Sequence, residues 1–454
     1  MIYKTIFLMF IIVLFIKSDT TIDFSSTLSD GAGYSISGST VTISSEGTYI
    51  LTGTGTNKNL VISSDATLTL NSLSLTSSSS LTPIIISSGK TVTMKLTGTS
   101  SLTDSSSNSN EGIIYLNSGS SLTISGDGTL NLTPNKNMAI NGTTDTSLTV
   151  NGGKINISSN SQIGGIYLRK GITFNDCTYS YTASSGSNHA IDSEGNIQII
   201  KGTYTISSGN GKGIQTEKYL YLGKDGSDNS DLSITINTSN EGIEAERIEI
   251  YSGTISITAS EDGINAAGND CEEEGKCSGT CTCYMKFTGG QIKVDSGEDG
   301  LDSNGDIVIS GGQIIVFSNP TTEDQTVDQD GKLTITGGTL LAAGGVGMGG
   351  VQAANSQKYI TSSQAGIGAS STISVKDSNN NEILSVQNPK SSTLNYIYVT
   401  TSGSDFSLYS DSKEIGSSGT TTSTPTANQD FKFINKFNII SLLSLFLWVL
   451  LYKI

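Results

Sequence analysis

The sequence predicts an all-β chain wound as a parallel β-helix, closed at its C-terminal end by a small β cap. Three recurrences predict it. An aliphatic position returns at Ile113, Ile140, Ile166, Ile191, Ile214, Ile243, Ile264, Leu301, Val327 and Val351, mostly in steps of 21 to 29 residues, with one step of 37. An alternating run closed by glycine returns at 121–126, 147–152, 306–311 and 332–337. A second run follows the glycine at 153–157, 253–257, 290–294 and 312–316. A period in this range is the signature of a solenoid. Two-residue alternation rich in β-branched side chains reads as strand, and glycine permits the corners between strands. Three short strands with no helical pattern between them make one coil. Coils stack at the inter-strand spacing of about 4.8 Å, so equivalent side chains form ladders.

Taken in order, residues 1–18 read as a signal peptide, with Lys4 before the apolar run 6–16. Residues 19–110 form the N-terminal cap and first coils, where 41–43, 59–62, 68–70 and 92–96 keep the alternation. Residues 111–371 form the regular β-helix, interrupted by a cysteine-rich insertion at 268–284. Residues 372–416 form the cap, with strands expected at 372–375, 382–386, 395–400 and 405–408 around an Asn-rich turn at 379–381. A Ser/Thr-rich linker at 417–436 leads to the apolar tail 437–454, which reads as a GPI-attachment signal or a short membrane anchor. The body is expected outside the cell, tethered to its surface, touching the membrane only through the tail, and monomeric.

The net charge of −16 argues against nucleic acid and anionic membrane as partners. The acid is concentrated: residues 240–330 hold 19 Asp or Glu against four Lys or Arg. In an oxidising compartment Cys271, Cys277, Cys281 and Cys283 read as two disulfides stiffening the insertion, with a zinc knot as the competing reading and Cys177 left over. Sequons at Asn131, Asn141, Asn156 and Asn237 would carry glycans in a eukaryotic host.

The strand at 40–49, the repeated Asp-Gly-Ile coils and the small β C-terminus together resemble the secreted carbohydrate-binding β-helix proteins first recognised in cellulose-degrading bacteria, over about residues 23–410. That resemblance implies a right-handed parallel β-helix, bound calcium, a fold related to calcium-dependent polysaccharide lyases, and plant cell-wall polysaccharides such as pectate and cellulose as partners. The cysteine insertion and the apolar tail depart from the pattern.

The acidic phrases give the calcium expectation a chemical basis. Aligned on the aliphatic column, the position after it reads Glu244, Asn265, Asp302 and Asp328; two before it stand Glu241, Asp262 and Asp299; three before it, Asn240, Glu261 and Glu298. With Asp330 these residues supply stacked oxygens of the kind calcium takes, and stacked acids repel unless cations lie between them. A row of solvated acids is the structural alternative, and no EF-hand loop is present. Catalysis has thinner support. His189 is the single histidine and reads as a coil-corner residue. Arg247 is the base a lyase would use, its structural alternative being a salt bridge to Glu244 or Glu246. Aromatic platforms are not evident: Trp448 lies in the tail, Tyr204, Tyr179 and Tyr181 read as core, and Tyr167, Tyr219 and Tyr251 are undecided. The expected function is therefore non-catalytic, calcium-dependent binding of polysaccharide, with a calcium-dependent lyase or a structural surface adhesin as alternatives.

Overall fold

The computed structural model describes residues 19–418 apart from 79–80, 106–110, 136, 160–163, 184–187, 227–230, 269–282, 321–322, 348 and 404. The described residues form strands and no helix, wound into a parallel β-solenoid of about eleven turns with a small antiparallel sheet at the C-terminal end. Thirty-five strands belong to one hydrogen-bonded network and four to the separate sheet.

The winding follows from the alternation. In Ser121–Gly126 the side chains of Leu122 and Ile124 point inward and are buried, while Ser121 and Thr123 face outward. Coil upon coil these inner residues make one continuous core running from Ile22 to Tyr398. Each fully buried Ile or Leu contributes about 1.5–3 kcal/mol, so a narrow polar chain gains enough from its ladders to fold. In several coils two strands merge around a corner, as in Ile214–Leu222 and Tyr284–Ser296.

Register fixes the ladders. Leu60, Ile84, Ile114, Ile140, Ile166, Ile191, Ile214, Ile243, Ile264, Leu301 and Val327 are successive partners. The expected column is thus corrected at two places. Ile114 takes the ladder position rather than Ile113, its equally buried neighbour. Val351 lies outside any strand, because the last coil is handed to antiparallel pairing: Tyr396–Thr401 bonds both Thr339–Gly344 and Lys358–Ser362. That strand therefore seals the solenoid, although the sequence pattern grouped it with the cap. The four-stranded sheet runs Glu382–Gln387, Thr372–Asp377, Phe406–Ser410, Lys413–Ser417, and its last strand had no sequence counterpart. At the other end the antiparallel pair Tyr34–Ser37 and Thr40–Ile43 precedes the regular coils.

The signal-peptide, linker and tail assignments, and Cys271, Cys277 and Cys281, fall outside the described residues. Cys283 is buried where the chain re-enters the solenoid, and Cys177 is a buried free thiol. Of the sequon residues Asn237 is exposed, whereas Asn131, Asn141 and Asn156 are half-buried, with Asn156 Nδ2 donating to Asn131 Oδ1 at 2.9 Å.

Candidate metal and carbohydrate site

The outward-facing partner of the aliphatic column is a ladder reading Tyr115, Asn141, Tyr167, Asp192, Gln215, Glu244, Asn265, Asp302 and Asp328. Its C-terminal end carries the acidic phrases. Their glycine is required by close approach between coils. A Cβ on Gly263 would meet Val294 Cγ1 at 2.1 Å and the Gly300 carbonyl oxygen at 2.6 Å, and one on Gly300 would meet Val316 Cγ1 at 2.1 Å. The chain can turn tightly enough to place an acid on either side of the column only where no side chain intervenes.

Three of the expected ligands converge. Asp299, Asp302 and Asp328 each offer a carboxylate oxygen, all lying within 4.8 Å of one another. Asn265 stands beside Asp302 in the ladder, is 8% exposed, and its Oδ1 accepts no hydrogen bond. Burial, then the fields of Asp262, Asp328 and Asp299, push the Asp302 carboxyl up to about 8. Burial together with Asp262 and Asp328 pushes Asp299 up to about 7, against the hydrogen bond from the Gln325 N–H. Asp328 is raised by burial and by Asp330, although a hydrogen bond from Gln325 opposes the shift. Such a cluster is an all-oxygen donor set that forms no ion pair with a Lys or Arg among the described residues, and it fits a hard divalent cation.

The other expected ligands have protein partners or stand apart. Asp262 Oδ1 accepts the Asp299 N–H at 3.0 Å, and burial raises its carboxyl to about 6. Glu261 Oε1 lies 2.9 Å from the Asn240 amide nitrogen once that amide is turned to donate. Glu298 is exposed and Asp330 lies at the open edge of the cluster. Glu241 and Glu244 turn to Lys212, whose Nζ contacts Glu244 Oε2 and lies 3.3 Å from Glu241 Oε2. Burial raises the Glu241 carboxyl to about 8, and its hydrogen bond with Glu244 adds to this. For Glu244 burial is outweighed by hydrogen bonds from Glu241 and Lys212, which hold it below the usual range. His189 Nδ1 accepts the Lys212 backbone N–H at 3.0 Å, and burial lowers its pKa to about 4, so it is a neutral acceptor.

Arg247 Nη1 lies 4.0 Å from the buried Glu246, the pairing that the sequence offered as its structural alternative, and its guanidinium sits 4.7 Å from the centre of the Tyr219 ring. Lys218 Nζ lies 3.4 Å from the other carboxylate oxygen of Glu246, Oε1.

Against this geometry stand the comparisons with known proteins. Residues 37–300 and 222–424 match the family model of carbohydrate-binding domain-containing proteins. The chain belongs to that family. Comparison with curated protein sequences gives no match. Among solved structures, the chain is similar to a polysaccharide lyase-like protein from C. thermocellum, determined as a gadolinium derivative, at 17% identity over 74% of this chain and 98% of that one, with a TM-score of 0.25.

For a carbohydrate-binding domain the outer aromatic residues matter, and here the structure adds what the sequence did not show. Tyr219 and Tyr221 lie with ring centres 5.6 Å apart and planes 6° from parallel, and Tyr251 continues the row 6.5 Å from Tyr221 at 5°. Tyr251 and Tyr284 both donate their hydroxyls to Glu249, at 2.7 and 2.5 Å. The row is assembled across coils, since Tyr219 partners Arg247, Tyr221 partners Glu249, and Arg247 partners Tyr284. By contrast Tyr179, Tyr181 and Tyr204 are buried in the core, as their place in the inner ladder predicts.

Proposed function

We propose that this chain is a non-catalytic, extracellular carbohydrate-binding protein whose Asp299, Asp302 and Asp328 hold calcium, and that it uses the ion to bind acidic cell-wall-type polysaccharide such as pectate. The observation that carries this reading is the convergence of three carboxylates beside a buried amide oxygen that lacks a donor. Family membership supports a polysaccharide partner. A chain of net charge −16 repels a polyuronate, and a bound divalent ion supplies the local positive charge that lets a uronate carboxylate approach. What the protein's own residues do is hold this cluster rigid: Asp262 fixes the Asp299 backbone, Gln325 contacts both Asp299 and Asp328, and the glycine corners fix the spacing. Arg247, the residue a lyase would need, is engaged by Tyr219 and Glu246, which favours binding over cleavage. Secretion, disulfide pairing within the insertion and attachment to the cell surface through the tail at 437–454 belong to the same proposal.

Binding of polygalacturonate to the full chain, measured with calcium and with excess EGTA, tests it. Binding should require calcium, and the Asp299→Asn/Asp302→Asn variant should lose it while keeping its β-sheet circular dichroism. Chelator-insensitive binding by that variant would overturn the proposal, and release of 4,5-unsaturated ends by the wild type would replace it with the lyase.

A further inference from the structure

We propose that Lys390, carried by the C-terminal cap, is a positioning residue for Asp299, so that docking of the cap and occupation of the acidic cluster by a divalent ion are coupled. Only the coupling rests on the calcium reading. The grip of Lys390 on the Asp299 corner rests on contacts within the chain.

Asp299 lies on the corner that joins Tyr284–Ser296 to Leu301–Ser303. The coil below holds this corner through main-chain bonds, from the Gly297 N–H to the Ala259 carbonyl at 3.0 Å and from the Glu298 N–H to the Glu261 carbonyl at 3.2 Å. At its base stands Ser296, fully buried, whose Oγ lies 3.1 Å from the Glu298 carbonyl oxygen and 3.3 Å from that of Phe317. The Ser296 carbonyl in turn accepts a hydrogen bond from Lys390 Nζ, which also pairs with Asp295 Oδ1 at 2.6 Å. An ammonium from a distant part of the chain thus grips the backbone just before Asp299.

Lys390 is delivered by the cap and not by the coils. It stands between Glu382–Gln387 and Tyr396–Thr401, in a turn built on the buried Asn388. Asn388 Oδ1 accepts the Lys390 N–H at 2.9 Å, and Asn388 Nδ2 donates to the Gly368 carbonyl at 2.9 Å. The Lys390 side chain is only 14% exposed, so the Asp295 carboxylate and the Ser296 carbonyl replace most of the water its ammonium gives up. The cap reaches the same corner a second way. Phe317, whose carbonyl faces Ser296, belongs with Leu384 and Leu408 to the core beneath the cap.

Calcium accepts oxygen ligands only over a narrow range, about 2.3–2.6 Å. Asp299 shares its cluster with Asp302 and Asp328, and like charges so close push apart when no ion lies among them. A grip beside Asp299 opposes that spreading. By linkage, an ion that fixes Asp299 strengthens the hold of the cap by the same factor.

Hydrogen exchange of the full chain in EGTA, read by mass spectrometry, tests the grip. Lys390→Met keeps the length of the side chain and removes the ammonium. It should speed exchange over residues 297–303 and leave residues 59–62 unchanged. Calcium titration by calorimetry tests the coupling: the Kd of the variant should rise about fivefold, the low end of such couplings. On the wild-type chain, calcium should slow exchange over residues 388–394, a remote response that a residue merely gluing the cap in place does not give. Unchanged exchange over 297–303 in Lys390→Met would overturn the proposal, as would wild-type calcium affinity in that variant or a segment 388–394 indifferent to the ion. A wild-type chain that binds no calcium would remove the calcium reading and the coupling with it, whereas faster exchange over 297–303 in the variant would still uphold Lys390 as the residue that positions Asp299.

Discussion

The carboxylate of Asp262 accepts the backbone N–H of Asp299 on the next coil at 3.0 Å. One coil further the relation repeats, the Asp299 carboxylate accepting the Gln325 N–H. Elsewhere Asp65 receives Thr91 and Asp306 receives Lys332 in the same manner, at 2.9 and 2.8 Å. An acid at a coil corner thus pins the coil above it, whatever else it does. In the acidic region this pinning also holds Asp299, and through it the convergent cluster, in place.

Asp262→Ala is therefore expected to destabilise the solenoid even without metal. Losing the hydrogen bond to a part-buried amide should cost about 1–3 kcal/mol, measured by urea unfolding in EGTA at pH 5, below the raised values of Asp262, Asp299 and Asp302. It should also weaken calcium binding, because Asp299 loses its anchor. If stability in EGTA is unchanged, the bond to the Asp299 N–H contributes nothing to the fold.

Stability should depend on pH in a direction opposite to that of a paired carboxylate. Asp262, Asp299 and Asp302 are raised to about 6, 7 and 8, above their unfolded values near 3.8. A group raised in the folded state favours folding while protonated. Its contribution is present below the unfolded pKa and is lost as pH rises through the folded one. In EGTA the melting temperature should accordingly fall between about pH 4 and pH 8. Calcium should restore it at pH 8, by about 2.7 kcal/mol at a hundredfold excess over Kd. A melting temperature that rises with pH in EGTA would show that these carboxylates are not in mutual repulsion.

Asp302→Asn separates repulsion from ligation. At pH 8 in EGTA the variant should be more stable than the wild type, by about 1–2 kcal/mol, since the most strongly shifted carboxylate is gone. With calcium the order should reverse. Parallel melting curves with and without the ion check both signs at once.

Gly263→Ala tests the corner. The added Cβ meets Val294 Cγ1 at 2.1 Å and the Gly300 carbonyl at 2.6 Å, so neighbouring coils must separate. Overpacking of this kind costs about 1–3 kcal/mol, and calcium affinity should fall with it because the coil spacing sets the oxygen spacing. A fully stable variant would mean that the corner yields.

Much of this architecture was legible because the inner ladder repeats an aliphatic residue at coil spacing, and a stack of such residues has one way to bury itself. The misplacement of Ile113 arose where Ile114 is equally apolar and equally buried, so composition could not choose between them. The fate of Val351 was hidden because it depends on Tyr396–Thr401 pairing antiparallel against the last coil, a long-range contact. In the site, the stacking of acids could be read from the repeat, but not which of them converge. That choice is made by Lys212, which draws Glu241 and Glu244 away from across the coil below. The tyrosine row was missed for a related reason: its members are separated in sequence and become one surface only through the register of Tyr221 with Glu249.

Lys212→Met should expose how much the two glutamates depend on that ammonium. The three side chains are only 13% to 19% exposed, so the pair cannot be rescued by solvent once the cation is gone. Removing one partner of a buried ionic group costs about 3–5 kcal/mol, because the charges left behind remain desolvated. The pH dependence carries the diagnostic sign. Glu241 already sits at about 8, raised first by burial, and without Lys212 both carboxyls lose the interaction that favours their ionised forms. Near pH 5 the variant can protonate them and should lose little stability. Above pH 8 the fold must either hold these carboxyls protonated or ionise them face to face, and the full penalty should appear. Urea unfolding of wild type and variant at pH 5 and pH 8.5 measures the difference. Equal destabilisation at both values would mean that Lys212 acts through the packing of its methylene chain, and that the charge of Glu241 and Glu244 is held by something other than its ammonium.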